Sequence, residues 1–122
     1  MEKEIWKAIP DINNYVISNF GRVKYIGPTK YRGPKYSVIA LKHNAILKIH
    51  SNSYSQARIN GQSIHIHRLV LLAFKPIENY EYYQVNHKDG NPANNNLENL
   101  EWCSSKENHK YRIQNKNNKI KF

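Results

Sequence analysis

The chain has 122 residues, a formal net charge of +10, 39% apolar residues and one cysteine, Cys103. That length suits one compact domain or a domain with a short appendage, and a lone cysteine excludes an intrachain disulfide or a thiolate zinc cluster and points to a reducing, intracellular setting. No run of about 18 apolar residues offers a membrane span, and the opening Met1–Trp6 lacks the charged-then-apolar pattern of a secretory leader.

Trp6 to Ile9, followed by Pro10, reads as a short extended entry. Tyr15–Ser18 and Arg22–Ile26 are β-rich runs separated by Asn19-Phe20-Gly21, which predicts a hairpin. Residues 27–36 hold two glycines and two prolines and are expected to form a loop. Ser37–Lys42 and Ile46–His50 read as further strands, as do Ala57–Ile59 and Ser63–His67. Asn60-Gly61 between the last two is a strong hairpin signal. A small antiparallel sheet is therefore the expected scaffold of the first half.

Arg68–Phe74 is the most apolar stretch and ends at Lys75-Pro76, so it reads as a short buried helix, although its periodicity alone also allows a strand. Gln84–His87 reads as a strand, and Asp89-Gly90-Asn91-Pro92 as a turn. Leu97, Leu100 and Trp102 supply core contacts, with Glu101–Cys103 as the returning strand. Ser104-Ser105-Lys106-Glu107 offers a cap with an acid in the first turn, which predicts a helix carrying Asn108 and fading near Asn117-Asn118. The last third thus reads as strand, long loop, strand, helix. Trp6, Phe74 and Trp102 are expected in the core.

Charge is segregated along the chain. Residues 1–50 carry +6, residues 51–105 carry −1 and residues 106–122 carry +5. A polyanion spanning both basic arms would pass over the neutral middle. Nucleic acid fits that description, with an affinity that falls steeply with salt; a basic surface kept for solubility is the alternative. The candidate phosphate contacts are Arg22, Lys24, Lys30, Arg32 and Lys35 in the first arm, and Lys110, Arg112, Lys116, Lys119 and Lys121 in the second.

The neutral middle holds the candidate chemistry. His87 is followed 12 residues later by Asn99 and 9 residues after that by Asn108. These side chains meet only if the segment folds back on itself. Together they would offer a proton acceptor, an orienting amide and an oxygen ligand, most of what metal-assisted phosphodiester hydrolysis requires. A structural histidine on a strand and an ordinary first-turn asparagine are the plainer readings of His87 and Asn108. His109 is an alternative to Asn108. His67 reads as a packed or capping histidine, with a role near the site as the alternative; His43, His50 and His65 read as surface or sheet residues.

The last third resembles the HNH nucleases of the ββα-metal fold, in the subgroup found in phage and intron-borne homing endonucleases. The matching residues are His87, Asn99 and Asn108, with Asn86 ahead of the histidine and the Leu97–Trp102 segment. The stretches Trp6–Ile9, Tyr15–Val23 and His67–Phe74 resemble the amino-terminal module that often precedes this subgroup. The resemblance implies an α+β fold, with a β-rich module over residues 1–66, an HNH unit over residues 67–115 and a basic tail over residues 116–122. It implies a metal-dependent endonuclease or nickase acting on double-stranded DNA, inside a bacterial or virus-infected host cell. His87 would be the general base and Asn99 would hold the loop and orient the histidine. Asn86 and Asn108 would give oxygens to one divalent cation, for which amide oxygens suit Mg²⁺ or Mn²⁺.

Family members often carry an aspartate or histidine at the position of Asn86, and a histidine at that of Asn108. Two neutral amides predict weak metal binding without DNA, and leave open a contribution from Asp89. They also leave open a catalytically inactive DNA-binding protein of the same fold. A single site cuts one strand, so a double-strand break would take a homodimer or two events.

Overall fold

Alternating burial builds the amino-terminal sheet. In the computed structural model, which describes residues 3–32, 38–51 and 55–104, Tyr15, Ile17, Val23 and Tyr25 all point inward from two neighbouring strands. β1 (Trp6–Ile9), β2 (Ile12–Ser18) and β3 (Val23–Tyr25) form an antiparallel sheet in the order β1-β2-β3. The expected hairpin around Asn19-Phe20-Gly21 is present. Ser18 caps it, its Oγ accepting the amides of Phe20 and Arg22 at 3.2 and 3.1 Å.

Two expectations for the next segment change. Residues 27–36 are not wholly loop, because β4 (Lys30–Arg32) pairs antiparallel with β5 (Val38–Leu41). Ile46–His50 is not a strand. Asn44 adopts a left-handed φ of 68°, and the chain after it meets the β3 edge irregularly. Tyr25 donates its amide to Ala45, Leu47 donates to the Val23 carbonyl, and a single bridge joins Lys24 to Ile46. Regular pairing resumes only at β6 (His50–Ser51), which lies beside β7 (Ser55–Ile59).

β7 and β8 (Gln62–His65) make the hairpin that Asn60-Gly61 foretells. Both turn residues have positive φ, 50° and 81°, as a two-residue turn matched to strand twist requires. The chain turns directly from β8 into α1 (Ile66–Phe74). Strand therefore ends two residues earlier than expected, and Ile66, fully buried, opens the helix.

α1 packs against β1, β2, β7, β8 and β10. One apolar cluster runs from Ile9, Ile17 and Tyr25 through Ile59, Leu69 and Leu71 to Leu100, with Phe74 and Trp102 on its margin. The amino-terminal sheet and the last two strands therefore share a core. β9 (Tyr83–His87) and β10 (Leu100–Ser104) pair antiparallel, opposing His87 to Leu100 and Asn86 to Glu101. Arg68 fastens α1 to the entrance of β9. Its guanidinium donates to the carbonyls of Tyr83 and Tyr80 at 3.0 and 3.1 Å and lies over the Tyr80 and Trp102 rings.

Among the described residues no helix is long and apolar enough to cross a membrane. The expected helix after Ser104 lies outside the described residues.

Candidate active site

Sheet register places His87 at the last position of β9, where the chain leaves the sheet for a long polar loop. Its ring is buried, 7% exposed, and Nε2 lies 2.9 Å from Oδ1 of Asn95. An amide oxygen only accepts, so in the contact as oriented here Nε2 is the donor. His67 meets the ring edge-on at 5.4 Å between centroids, and His65 stacks on His67 at 5.0 Å. Burial, followed by the neighbouring His65, His87 and Arg68, depresses the His67 pKa to about 3. His67 is thus packed against the candidate base as a neutral ring.

The loop between the strands is an amide-and-carboxylate lattice. Asn99 accepts the Asp89 amide at 3.0 Å and donates to Oδ1 of Asp89 and to the Asn94 carbonyl, both at 2.9 Å. Asp89 also accepts the Asn91 amide at 2.8 Å and Nδ2 of Asn94 at 2.9 Å. The Asn94 and Asn91 bonds are the leading reasons its carboxyl is held below the ordinary carboxylate range. The backbone closes the loop at its base, Lys88 donating to the Asn99 carbonyl at 2.8 Å.

Asn99 spans the loop, and the carboxamide at Nε2 of His87 is that of Asn95. Both carboxylate oxygens of Asp89 accept hydrogen bonds inside the loop. Asn95 escaped the sequence reading because it sits in the run Asn94-Asn95-Asn96, where composition does not reveal which amide turns inward. The structure distinguishes it by burial, at 6% exposed.

Asn86 and His87 sit together at the strand end. Nδ2 of Asn86 donates to Oε1 of Glu101 at 2.9 Å across the sheet. That bond fixes the amide and directs Oδ1 away from the glutamate. It also brings a carboxylate beside Asn86, which the sequence reading did not place there. The cue was present in the register, since strands returning from a loop oppose residues such as 86 and 101. Hard oxygen donors of this kind fit a Mg²⁺ or Mn²⁺ ion. The other expected ligand, Asn108, and its alternative His109 lie outside the described residues. Among the described residues no group of three or more His, Cys, Asp or Glu side chains is arranged to hold a metal.

Of the expected phosphate contacts, Arg22, Lys24 and Lys30 each have a local partner, Lys30 lying over the Tyr25 ring at 5.3 Å. Arg22 forms a two-pronged ion pair with Glu4. Arg22 and Lys24 also lie over the Trp6 ring, at 5.5 and 4.2 Å. Trp6 is consequently a half-buried platform for cations, in place of the core residue expected. Arg32 ends β4. Lys35, Lys110, Arg112, Lys116 and Lys119 lie outside the described residues.

A strand, a long polar loop and a returning strand, with His87 at the first strand's end and Asn99 closing the loop, form the frame in which comparison with known proteins becomes decisive. A family model described as "HNH endonuclease" matches residues 65–110, and one described as "NUMOD4 motif" matches residues 4–53. The chain belongs to the HNH endonucleases. Two uncharacterized HNH endonucleases of Acanthamoeba polyphaga mimivirus are similar to it. L245 is 40% identical over 108 residues, 88% of this chain and 29% of that protein. L247 is 34% identical over 122 residues, 93% of this chain and 27% of that protein. The chain thus spans less than a third of the curated relatives it matches. A solved structure of the HNH homing endonuclease I-HmuI, described as binding and cleaving DNA, superimposes with a TM-score of 0.66 at 29% identity. The match covers 94% of this chain and 59% of I-HmuI. The α+β fold is thus that of an HNH homing endonuclease.

Proposed function

We propose that this HNH chain is a metal-dependent endonuclease that nicks double-stranded DNA. One observation carries the reading: His87, at the end of β9, has Nε2 held by Asn95, and we assign Nδ1 as the nitrogen that takes the proton. The likeness to I-HmuI supports DNA as the substrate, and the net charge of +10 supports binding to a polyanion. The intracellular setting follows from such a substrate.

In this reading Nδ1 of His87 takes a proton from water. The water oxygen then bonds to phosphorus as the bond from phosphorus to the leaving sugar oxygen breaks, and that oxygen takes up a proton from solvent. No covalent enzyme intermediate is needed. Asn99 and Asp89 keep the loop closed and Asn95 keeps the imidazole in register. Asn86, through Oδ1, and Asn108 would hold a divalent cation, which would supply Lewis-acid polarisation at the phosphate. Glu101 holds the Asn86 amide and adds a negative charge nearby. Arg22 and Lys24 reach phosphate from the Trp6 platform, with Arg32, Lys35, Lys110, Arg112, Lys116 and Lys119 as further contacts.

The test is supercoiled plasmid incubated with the purified chain across a panel of divalent cations, with EDTA as control. Nicked circles are expected with Mg²⁺ or Mn²⁺ and none with EDTA. Salt-sensitive DNA binding without nicking under every cation would favour the inactive DNA-binding alternative, which the neutral amides at 86 and 108 support.

A second expectation concerns the ion itself. Asn86→Asp sets a carboxylate against Glu101 and removes the Nδ2 donor, so the protein without metal melts lower. Two facing carboxylates attract a cation more strongly than one amide does. The rise in Tm on adding Mn²⁺ should therefore exceed the parent's. An equal or smaller rise would remove position 86 from the ion site.

A further inference from the structure

The amino-terminal module meets the active-site loop at the turn between β2 and β3. The turn lies under residues 95–97, and the fit is tight. Asn19 accepts the Leu97 amide through its carbonyl at 2.8 Å. Gly21 has a φ of +84°, and a methyl group there would lie 2.9 Å from Cβ of Asn95 and 3.1 Å from the Asn95 carbonyl oxygen. Ile66, at the start of α1, is 3.4 Å from the same point. Neither neighbour is the free end of a long side chain. Cβ of Asn95 and its backbone oxygen move only if the loop moves.

The turn is itself held from beneath. Ser18 and Asn19 are buried, at 0% and 4% exposed. Ser18 caps the turn, and Oδ1 of Asn19 accepts the Ile5 amide at 2.7 Å. Nδ2 of Asn19 donates to the Lys3 carbonyl at 3.1 Å. This polar cluster is built inside the amino-terminal module, yet it lies against Asn95, whose amide oxygen meets Nε2 of His87.

We infer that the Ser18–Arg22 turn is a positioning element of the nuclease site: by seating Asn95 against Gly21 it fixes the orientation and tautomer of His87. The amino-terminal module thus acts on the chemistry as well as on any DNA it touches. The inference rests on the reading of His87 as the base, but the placement of its ring can be measured independently of cutting.

Gly21→Ala and Gly61→Ala form the decisive pair. Gly61 has nearly the same backbone conformation, φ +81°, with nothing within 4 Å of an added methyl. Both variants carry the cost of a left-handed alanine, and only the first displaces Asn95. Ring ¹⁵N shifts of His87 report which nitrogen holds the proton. In Gly21→Ala they should move in the same direction as in Asn95→Ala, with a cutting rate lower by about tenfold to a hundredfold, the penalty of a displaced catalytic group. Gly61→Ala should keep parental shifts and rate. Should Gly21→Ala not fold, Ser18→Ala loosens the turn without adding an atom and should move the same shifts.

A folded Gly21→Ala, or in its absence Ser18→Ala, with parental His87 shifts would overturn the inference. A parent that does not cut, combined with His87 shifts that follow Gly21, would leave the inference standing and remove the proposed activity instead.

Discussion

His87→Ala should lower the rate of plasmid nicking about 10²–10⁴-fold, the usual contribution of a positioned general base. DNA affinity should stay within about twofold, because contacts to phosphate and sugar supply most of the binding and this ring is 7% exposed. The separation follows from where the ring sits. It faces Asn95 and His67 from the end of β9, so its loss removes the proton acceptor and those two contacts without touching a basic side chain proposed to meet phosphate. Some destabilisation is expected from the vacated volume, about 1–3 kcal/mol. The comparison is therefore made well below the variant's melting temperature. Asn95→Ala should fall between parent and His87→Ala, since it keeps the base and loses its holder. If His87→Ala nicks like the parent, the proton goes elsewhere and the proposed chemistry fails.

How far this site could be read from sequence varies by residue. His87 and Asn99 were accessible because a β-rich run, turn residues and a second β-rich run force positions 87 and 99 to the two ends of one loop. The Lys88–Asn99 backbone bond closes that loop. Asn60-Gly61 was equally legible, since its turn geometry is local. Asn95 was not, because its role depends on packing against Gly21, a residue 74 positions away. The same holds for Ile46–His50. Its composition favours a strand, but after the left-handed turn at Asn44 it meets the β3 edge through a single bridge, Lys24 to Ile46. Trp6 was misread because an aromatic beside apolar neighbours gives no hint that Arg22 and Lys24 will cover it. Local rules fixed elements and turns, whereas the fine positioning of the base is a tertiary property.

Acid should destabilise the fold through His67. Its pKa falls from an ordinary value near 6.5 to about 3 because it is buried and faces His65, His87 and Arg68. Between those values the unfolded chain binds a proton that the native chain refuses. Stability is therefore full above about pH 6.5 and declines as pH falls toward 3, by up to about 1.4 kcal/mol per pH unit for one proton. Asp89 and Glu4, whose carboxyls are held low by hydrogen bonds within the loop and to Arg22, add to the loss only below about pH 4. Urea unfolding at pH 7 and pH 5 measures this slope. Replacing it by phenylalanine, which keeps an aromatic ring between His65 and His87, should flatten the dependence over that interval. An unchanged slope would show that His67 protonates freely in the folded state. The neutral ring also matters to the chemistry. His87 becomes an imidazolium when it accepts the proton from water, and a second cation at 5.4 Å would oppose that step. A His67 that resists protonation therefore spares the base this repulsion, and the stability slope and the nicking rate near pH 6 test the same burial.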